Sequence, residues 1–292
     1  MGIETPILNA STTKLAAAVE ENLFALFQAM AEVLPNSELL RTENLSRHLS
    51  FPYNPMFKGV WRTRIASDDL AEMIDETIAW FKARKAPFFF WWTGPSTEPV
   101  DLGKQLTQRG LISMEEQQKQ FAHGIVQTHA GAPGMVADLY QVNEDILKQV
   151  PPGCTIEEIQ DKTSLDDFKK VFVEAYGVPE WAGQAWVDAA LSVGIGKTPW
   201  KMYLGRLNGE PVATNMLFNG GGVASVYGVA TLPSVRRKGI GAAITLKPLL
   251  EARSSGYPYA VLFSSEMGIH AYERIGFHLT DCRINRYLWQ NV

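Results

Sequence analysis

Cysteine is nearly absent: Cys154 and Cys282 are the only two among 292 residues. No CxxC pair and no Cys/His cluster of zinc spacing exists, so a structural metal site is not expected. The two thiols either close one disulfide or stay apart, and two buried thiols in a reducing compartment are the expectation. Excess positive charge is missing too. Lysine and arginine number 27 against 31 acids, a net charge of −4. That disfavours non-specific nucleic-acid binding, which needs a basic surface. Long apolar runs are also lacking. The longest strongly apolar stretch, Pro87 to Trp92, is far below the ~18 residues of a membrane span. The opening Met-Gly-Ile-Glu-Thr-Pro lacks the basic-then-apolar profile of a signal peptide. A soluble, cytoplasmic protein with neither a membrane nor a nucleic-acid partner is expected; its oligomeric state is not legible.

With 46 % hydrophobic and 20 % charged residues, the composition is that of a folded chain. At roughly 150 residues per domain, its length suggests about two domains. Apolar residues at helical spacing (Leu15, Val19, Leu23, Leu26, Met30) predict a helix from Lys14 to Leu34, with Ser11 and Thr12 as caps and Pro35 as its stop. A weakly alternating strand follows over Lys58 to Ile65. Ser67-Asp68-Asp69 caps a helix with Leu70, Ile74, Ile78 and Phe81 on its apolar face. The aromatic run Phe88 to Trp92 reads as a strand covered on both faces. A short helix over Val100–Gln108 comes next, with Gly110 behind it.

The cluster Gly131-Ala-Pro-Gly134 and the polar segment up to Pro151-Pro152-Gly153 oppose helix and sheet alike, and mark 131–153 as a linker. Beyond it the spacing predicts a strand at Cys154–Ile159 and helices at Ser164–Ala175 and Trp181–Val193. A three-strand meander over residues 200–229 turns at Asn208-Gly209. Then come a helix over Gly239–Ser254, a buried strand over Tyr259–Ser264, a short helix over Ile269–Arg274 and a final strand pair from Phe277 onward. Helix, proline, strand, short helix and glycine occur in this order in both halves, ending at Gly110 and at Gly276. The expected division is a degenerate first copy at 1–130, the linker, and a second domain at 154–292.

The informative stretch runs from Val229 to Ala242. A strand exits into Arg236-Arg237-Lys238-Gly239, and a helix begins at once. Such a turn aims several backbone N–H groups and the positive end of a helix dipole at one spot. That suits a pyrophosphate, and Gly239 and Gly241 permit unusual φ values and close approach. The other reading is an ordinary strand-to-helix turn with solvated basic residues.

Here the sequence resembles the GNAT superfamily of acyl-CoA-dependent N-acyltransferases. The family's loop, Arg/Gln-x-x-Gly-x-Gly/Ala, is matched by Arg236, Gly239 and Gly241. Its Tyr-x-x-x-Gly-Phe element is matched by Tyr272, Gly276 and Phe277. The resemblance spans about residues 155–289. It implies a mixed, mostly antiparallel α/β sheet flanked by helices, with parallel strands splayed near Val229 and Leu262. The repeat adds a degenerate first domain in tandem.

The resemblance also implies acetyl-CoA, or another acyl-CoA, as co-substrate, a small-molecule or peptide amine as acceptor, and no metal. The backbone from Val229 through Ala230 to Thr231 would run beside the pantetheine arm. The amides of Arg237, Lys238, Gly239, Ile240, Gly241 and Ala242 would cradle the pyrophosphate. Tyr272 would give a proton to the leaving thiolate. Ser265 stands where many members carry a pantetheine-binding asparagine. The alternative to an enzyme is a non-catalytic acyl-CoA-binding sensor or interaction module that kept the loop and lost turnover.

No motif identifies the general base; Glu266, His270, Glu180 and Tyr227 are the candidates. Tyr176, Trp181 and Trp186 are candidates for an acceptor pocket. Pro248 should kink the helix after the loop. Gly194-Ile-Gly-Lys-Thr198 lacks the full P-loop spacing, and Gly220-Gly-Gly222 lacks a third phosphate-loop glycine. In the first half, Ala66-Ser67-Asp68-Asp69 puts acids where a phosphate loop would stand, so only the second half is expected to bind acyl-CoA.

Overall fold

The computed structural model describes residues 5–50, 57–66, 68–114 and 131–291. Helix α1 (Thr12–Val33) is capped by Ser11, whose hydroxyl accepts the Lys14 N–H, and it ends just before Pro35. Strands β1 (Glu38–Arg41), β2 (Ser46–Leu49) and β3 (Lys58–Trp61) follow in antiparallel order. The strand expected up to Ile65 stops at Trp61, because Arg62 turns to φ +54°. Helix α2 (Leu70–Ala83) then lets β4 (Phe88–Thr93) lie parallel to β3. Ser67 lies outside the described residues, and Asp69 caps α2 by position without a side-chain hydrogen bond. Helix α3 (Leu102–Gln108) and the short β5 (Ile112–Ser113) complete the series.

The expected linker is a correction. Residues Ala132–Asp138 form strand β6, with Met135 and Ala137 buried. Proline and glycine are tolerated there because they stand at the strand's start, where the Pro133 carbonyl accepts the Ser264 N–H and the Gly134 carbonyl the Thr280 hydroxyl, and the residues that follow are buried. A short 3-10 turn, Glu144–Lys148, leads from β6 to β7 (Cys154–Glu158). Helices α4 (Lys162–Tyr176) and α5 (Glu180–Val193) precede the meander of β8 (Trp200–Leu207), β9 (Glu210–Gly220) and β10 (Val223–Thr231). Helix α6 (Ile240–Ser254) crosses to β11 (Tyr259–Phe263), parallel to β10, and α7 (Glu266–Glu273) leads to β12 (His278–Gln290). The strand pair expected after Phe277 is one 13-residue strand. It holds no glycine or proline at which to turn.

The strands join in one sheet, ordered β1-β2-β3-β4-β12-β6-β11-β10-β9-β8-β7, with β5 also paired to β12. Each half has an antiparallel series, a helical crossover to a parallel strand, and a short helix. The halves then exchange their closing strands. β6, which follows the first half, sits between β11 and the start of β12. The end of β12, Asn285 to Gln290, pairs with β4 of the first half. The mixed, mostly antiparallel sheet is therefore continuous across a tandem of two like folds.

Helix α1 seals the seam. Leu23, Phe24 and Phe27 pack with Trp61, Trp92 and Ile284. Beside them Asn22 is fully buried, which is tolerable only because its amide is satisfied. Its Nδ2 donates to the carbonyls of Gly220 (2.7 Å) and Val223 (3.1 Å), and its Oδ1 accepts from the Tyr227 hydroxyl at 2.7 Å.

Pro248 lies inside α6, which continues through it. Proline has no N–H for the carbonyl four residues back, that of Ile244. The buried side chain of Asn215 on β9 donates to that carbonyl instead. Both cysteines are free; Cys282 is buried, whereas Cys154, at the start of edge strand β7, is only half-buried.

Candidate active site

Strands β10 and β11 pair only at Ala224/Ala260 and Ser225/Val261, and then separate. The cause lies in β10. Its register on β9 jumps between Tyr227 and Ala230, so Gly228 and Val229 stand opposite a single residue, and such a bulge bends a strand. Gly228 adopts φ +58°, and a Cβ there would lie 2.8 Å from the Met216 methyl group. Thr214 holds the bulge by donating to the Gly228 carbonyl at 2.8 Å. The divergence opens a cavity of about 610 Å³ with Val229 on one wall and Tyr272 on another.

The basic loop lies at the far end of β10. A short 3-10 turn, Pro233–Val235, leads into Arg236. That guanidinium donates to the carbonyls of Thr231 (3.0 Å) and Ala175 (3.1 Å). Arg236 therefore braces the loop against the end of α4. Arg237 and Gly239 both have positive φ, +63° and +81°. Among the described residues, no backbone hydrogen bond from the amides of Arg237, Lys238 or Gly239 occurs. The amides of Ile240, Gly241 and Ala242 belong to the first turn of α6, where helices leave N–H groups unpaired. An open hollow of about 470 Å³ borders Arg237, Lys238, Gly239 and Arg274. A Cβ on Gly239 would come within 3.3 Å of the Gln149 carbonyl, so glycine keeps this hollow open.

Gly241 needs a correction. It is not among the positive-φ glycines, because it already sits in the first turn of α6. Its Cβ would meet only the Thr231 hydroxyl, at 3.1 Å. The side chain of Ile240 is buried with Val212, Ala213 and Ile244. Ala230 is buried and pairs with Thr214, and Thr231 pairs with Ala213.

Tyr272 is half-buried, with its ring edge-on to Phe277 at 6.0 Å. Burial pushes its phenol up to about 12. Tyr176 reaches over from α4. Its ring is half exposed, but its hydroxyl turns inward and donates to the Val229 carbonyl at 2.9 Å. Desolvation of that hydroxyl, with Tyr272 nearby, pushes its pKa well above the usual phenol value. Ser265 caps α7 by position, makes no side-chain cap bond, and borders the cavity.

Of the four candidate bases, Glu266 and Tyr227 line the cavity. Tyr227 spends its proton on Asn22, and desolvation raises its pKa well above the usual range. His270 is exposed and pairs with Glu273 at 3.0 Å, and Glu180 pairs with Lys169 at 3.2 Å; neither borders the cavity. Trp186 is a core residue, edge-on to Phe57 at 5.1 Å, and Trp181 stands half exposed, 6.5 Å from Phe88. Of the three aromatic pocket candidates, only Tyr176 reaches the cavity.

Several wall residues carry no motif. Leu23 and Trp92 come from the first half, Pro133 from β6, and Ile284 and Arg286 from β12. The strand exchange brings them together, and no local pattern announces it. Arg274 at the basic hollow was likewise unannounced. Among the described residues no group of three or more His, Cys, Asp or Glu is placed to hold a metal. No helix among them is long and apolar enough to cross a membrane.

Residues 166–277 match the family model of the acetyltransferase (GNAT) family. No curated protein is similar in sequence to the chain. Solved structures share its fold. A GCN5-related N-acetyltransferase from Kribbella flavida superposes with a TM-score of 0.68 at 16 % identity, over 94 % of this chain and 96 % of its own. A protein assigned to the GNAT acetyltransferases of Novosphingobium aromaticivorans DSM 12444 gives 0.55 at 16 % identity, over 94 % and 99 %. A tandem GNAT protein from the clavulanic acid biosynthesis pathway gives 0.52 at 11 % identity, over 96 % and 94 %. These likenesses extend through both halves, so the first half shares the fold as well. With its splayed strands and its glycine-opened helix, the second half of this chain has the GNAT fold, and residues 166–277 within it match the acetyltransferase (GNAT) family.

Proposed function

We propose that this protein is an N-acetyltransferase that moves an acetyl group from acetyl-CoA to a primary amine of a small molecule or peptide. One observation carries the reading: a bulged strand edge and a half-buried tyrosine border one cavity, and a glycine-opened helix start borders a hollow beyond the end of the same strand. Acyl-CoA supplies a thioester whose carbonyl carbon accepts the amine nitrogen. The C–N bond forms, the C–S bond breaks, the sulfur leaves as thiolate, and the nitrogen gives up a proton.

The chain's own residues have distinct parts. The backbone from Val229 to Thr231 pairs with the pantetheine arm where β11 has separated from β10, beside the Tyr176 and Arg236 donors that already serve the Val229 and Thr231 carbonyls. The Val229 N–H stabilises the negative charge that develops on the carbonyl oxygen. The amides from Arg237 to Ala242, with the charges of Arg237, Lys238 and Arg274, hold the pyrophosphate. Ser265 reaches the pantetheine from the opposite side. Tyr272 stays protonated at neutral pH. Full transfer from a phenol near 12 to a thiolate near the ~8.5 of an ordinary thiol would run uphill. Its contribution is a hydrogen bond that strengthens as charge builds on sulfur. Glu266, which borders the cavity, takes the amine's proton, directly or through water.

The first half, to about residue 130, is a degenerate copy that shapes the acceptor side, and residues 154–292 carry the chemistry. Asp68 and Asp69 stand at the start of α2; their charge would repel a pyrophosphate there. The test is thiol release from acetyl-CoA with a panel of amines, read beside calorimetric binding. Turnover on any amine supports the enzyme. Tight acetyl-CoA binding with no turnover on any acceptor would favour the sensor instead.

A further inference from the structure

Part of the cavity wall is made by apolar groups that pack together from distant parts of the chain: Leu23 of α1, Trp92 of β4, and Ile284 of β12. Into this wall the sequence places one guanidinium. Arg286 is two residues beyond Ile284 on β12, so both point to the same face of the sheet. It stands directly opposite Trp92 in the β4–β12 register. All three line the cavity.

A cation in an apolar wall is costly unless it is paired. Arg286 is half-buried and engages a group within the protein, but a guanidinium carries five N–H donors in a planar fork. That fork matches a carboxylate in two parallel hydrogen bonds. Among the described residues the other charged group on the wall is Glu266, on a different element, at the start of the helix α7 that also carries Tyr272. The cavity thus carries a carboxylate at the start of α7 and a cation on β12, where that strand pairs with β4 of the first half. Its volume of about 610 Å³ is that of a small-molecule site.

Building on the acetyltransfer reading, we propose that the acceptor is a small apolar amine carrying a carboxylate, and that Arg286 is the specificity residue that holds this carboxylate. The amine is directed toward Glu266 and the acyl carbon, and the apolar body lies against Leu23, Trp92 and Ile284. The first half and the exchanged strand then serve acceptor choice.

The experiment compares matched acceptors: phenylalanine, leucine and 4-(aminomethyl)benzoate, each beside its carboxamide. Thiol release from acetyl-CoA is followed with the full-length chain, with Arg286→Gln and with Arg286→Lys. For at least one pair, kcat/KM for the acid should exceed that for the amide by about tenfold to a hundredfold, the size of a charge-assisted hydrogen bond. The preference should reside in KM. It should collapse toward unity in Arg286→Gln and return in part in Arg286→Lys, which keeps the charge without the fork.

Amides used as well as acids by the parent would overturn the proposal. So would an acid preference that survives in Arg286→Gln. If no amine releases thiol, the transfer reading fails, and calorimetry of the acids against the CoA-saturated protein decides the site alone. Acid binding by the parent that Arg286→Gln abolishes would uphold the anion site; no acid binding by the parent would refute it.

Discussion

Replacing Asn215 by alanine probes the helix that follows the basic loop. Pro248 leaves the Ile244 carbonyl without its helical donor, and the Asn215 amide supplies the substitute deep in the core. Removing the donor leaves a buried carbonyl unpaired, at about 1–3 kcal/mol, together with a small cavity. A single variant cannot separate the two costs. The double cycle with Pro248→Ala can, because alanine restores the N–H at position 248 while the cavity term remains in both backgrounds. Asn215→Ala should therefore cost about 1–3 kcal/mol in the parent and at least about 1 kcal/mol less beside Pro248→Ala.

Urea unfolding followed by circular dichroism reads both values, provided the four m-values agree. Since each half lends a strand to the other, one cooperative transition is expected. Equal costs in the two backgrounds, within the ~0.3–0.5 kcal/mol scatter of additive pairs, would show that Asn215 does not stand in for the missing N–H.

Gly239→Val should abolish acetyl-CoA binding in calorimetry, since its φ of +81° excludes a β-branched residue and its Cβ crowds the Gln149 carbonyl. Gly241→Val should weaken binding less, as it displaces only a hydroxyl. Near-normal affinity for Gly239→Val would remove the loop from the site. Tyr272→Phe should lower kcat by about tenfold to a hundredfold, the value of a hydrogen bond to a charged group, at nearly unchanged acetyl-CoA affinity. Parent-like kcat with chemistry rate-limiting would end that role. The same variant carries a pH signature. A phenol raised from 10 to about 12 on folding binds more protons in the native state, so it costs stability as pH rises through that window. Tyr272→Phe should make alkaline unfolding less steep between pH 10 and 12, measured by circular dichroism. A fragment of residues 154–292 loses β6, whose Met135 and Ala137 are buried between β11 and β12. It should show no cooperative melt, and a native-like transition would contradict the strand exchange.

The elements themselves were largely legible. Helices α1 and α2 follow from apolar residues three and four apart, and β4 from a run of aromatics too short for a helix. The basic loop and Tyr272 lie within short, contiguous motifs, since a strand-to-helix turn is a local object whose glycine is needed for local backbone reasons. What failed was reading the segment after Gly131 as a linker and the end of the chain as two strands. Gly131-Ala-Pro-Gly134 looks like a chain breaker in isolation. Only pairing with β11 and β12 on either side makes its continuation a central strand. Periodicity shows that a residue lies in a strand, and never which strand will lie beside it. The wall of Leu23, Trp92, Ile284 and Arg286 is therefore a product of tertiary pairing alone: hydrogen bonds between strands carry no residue code, and the partner is chosen by which apolar faces can be buried together.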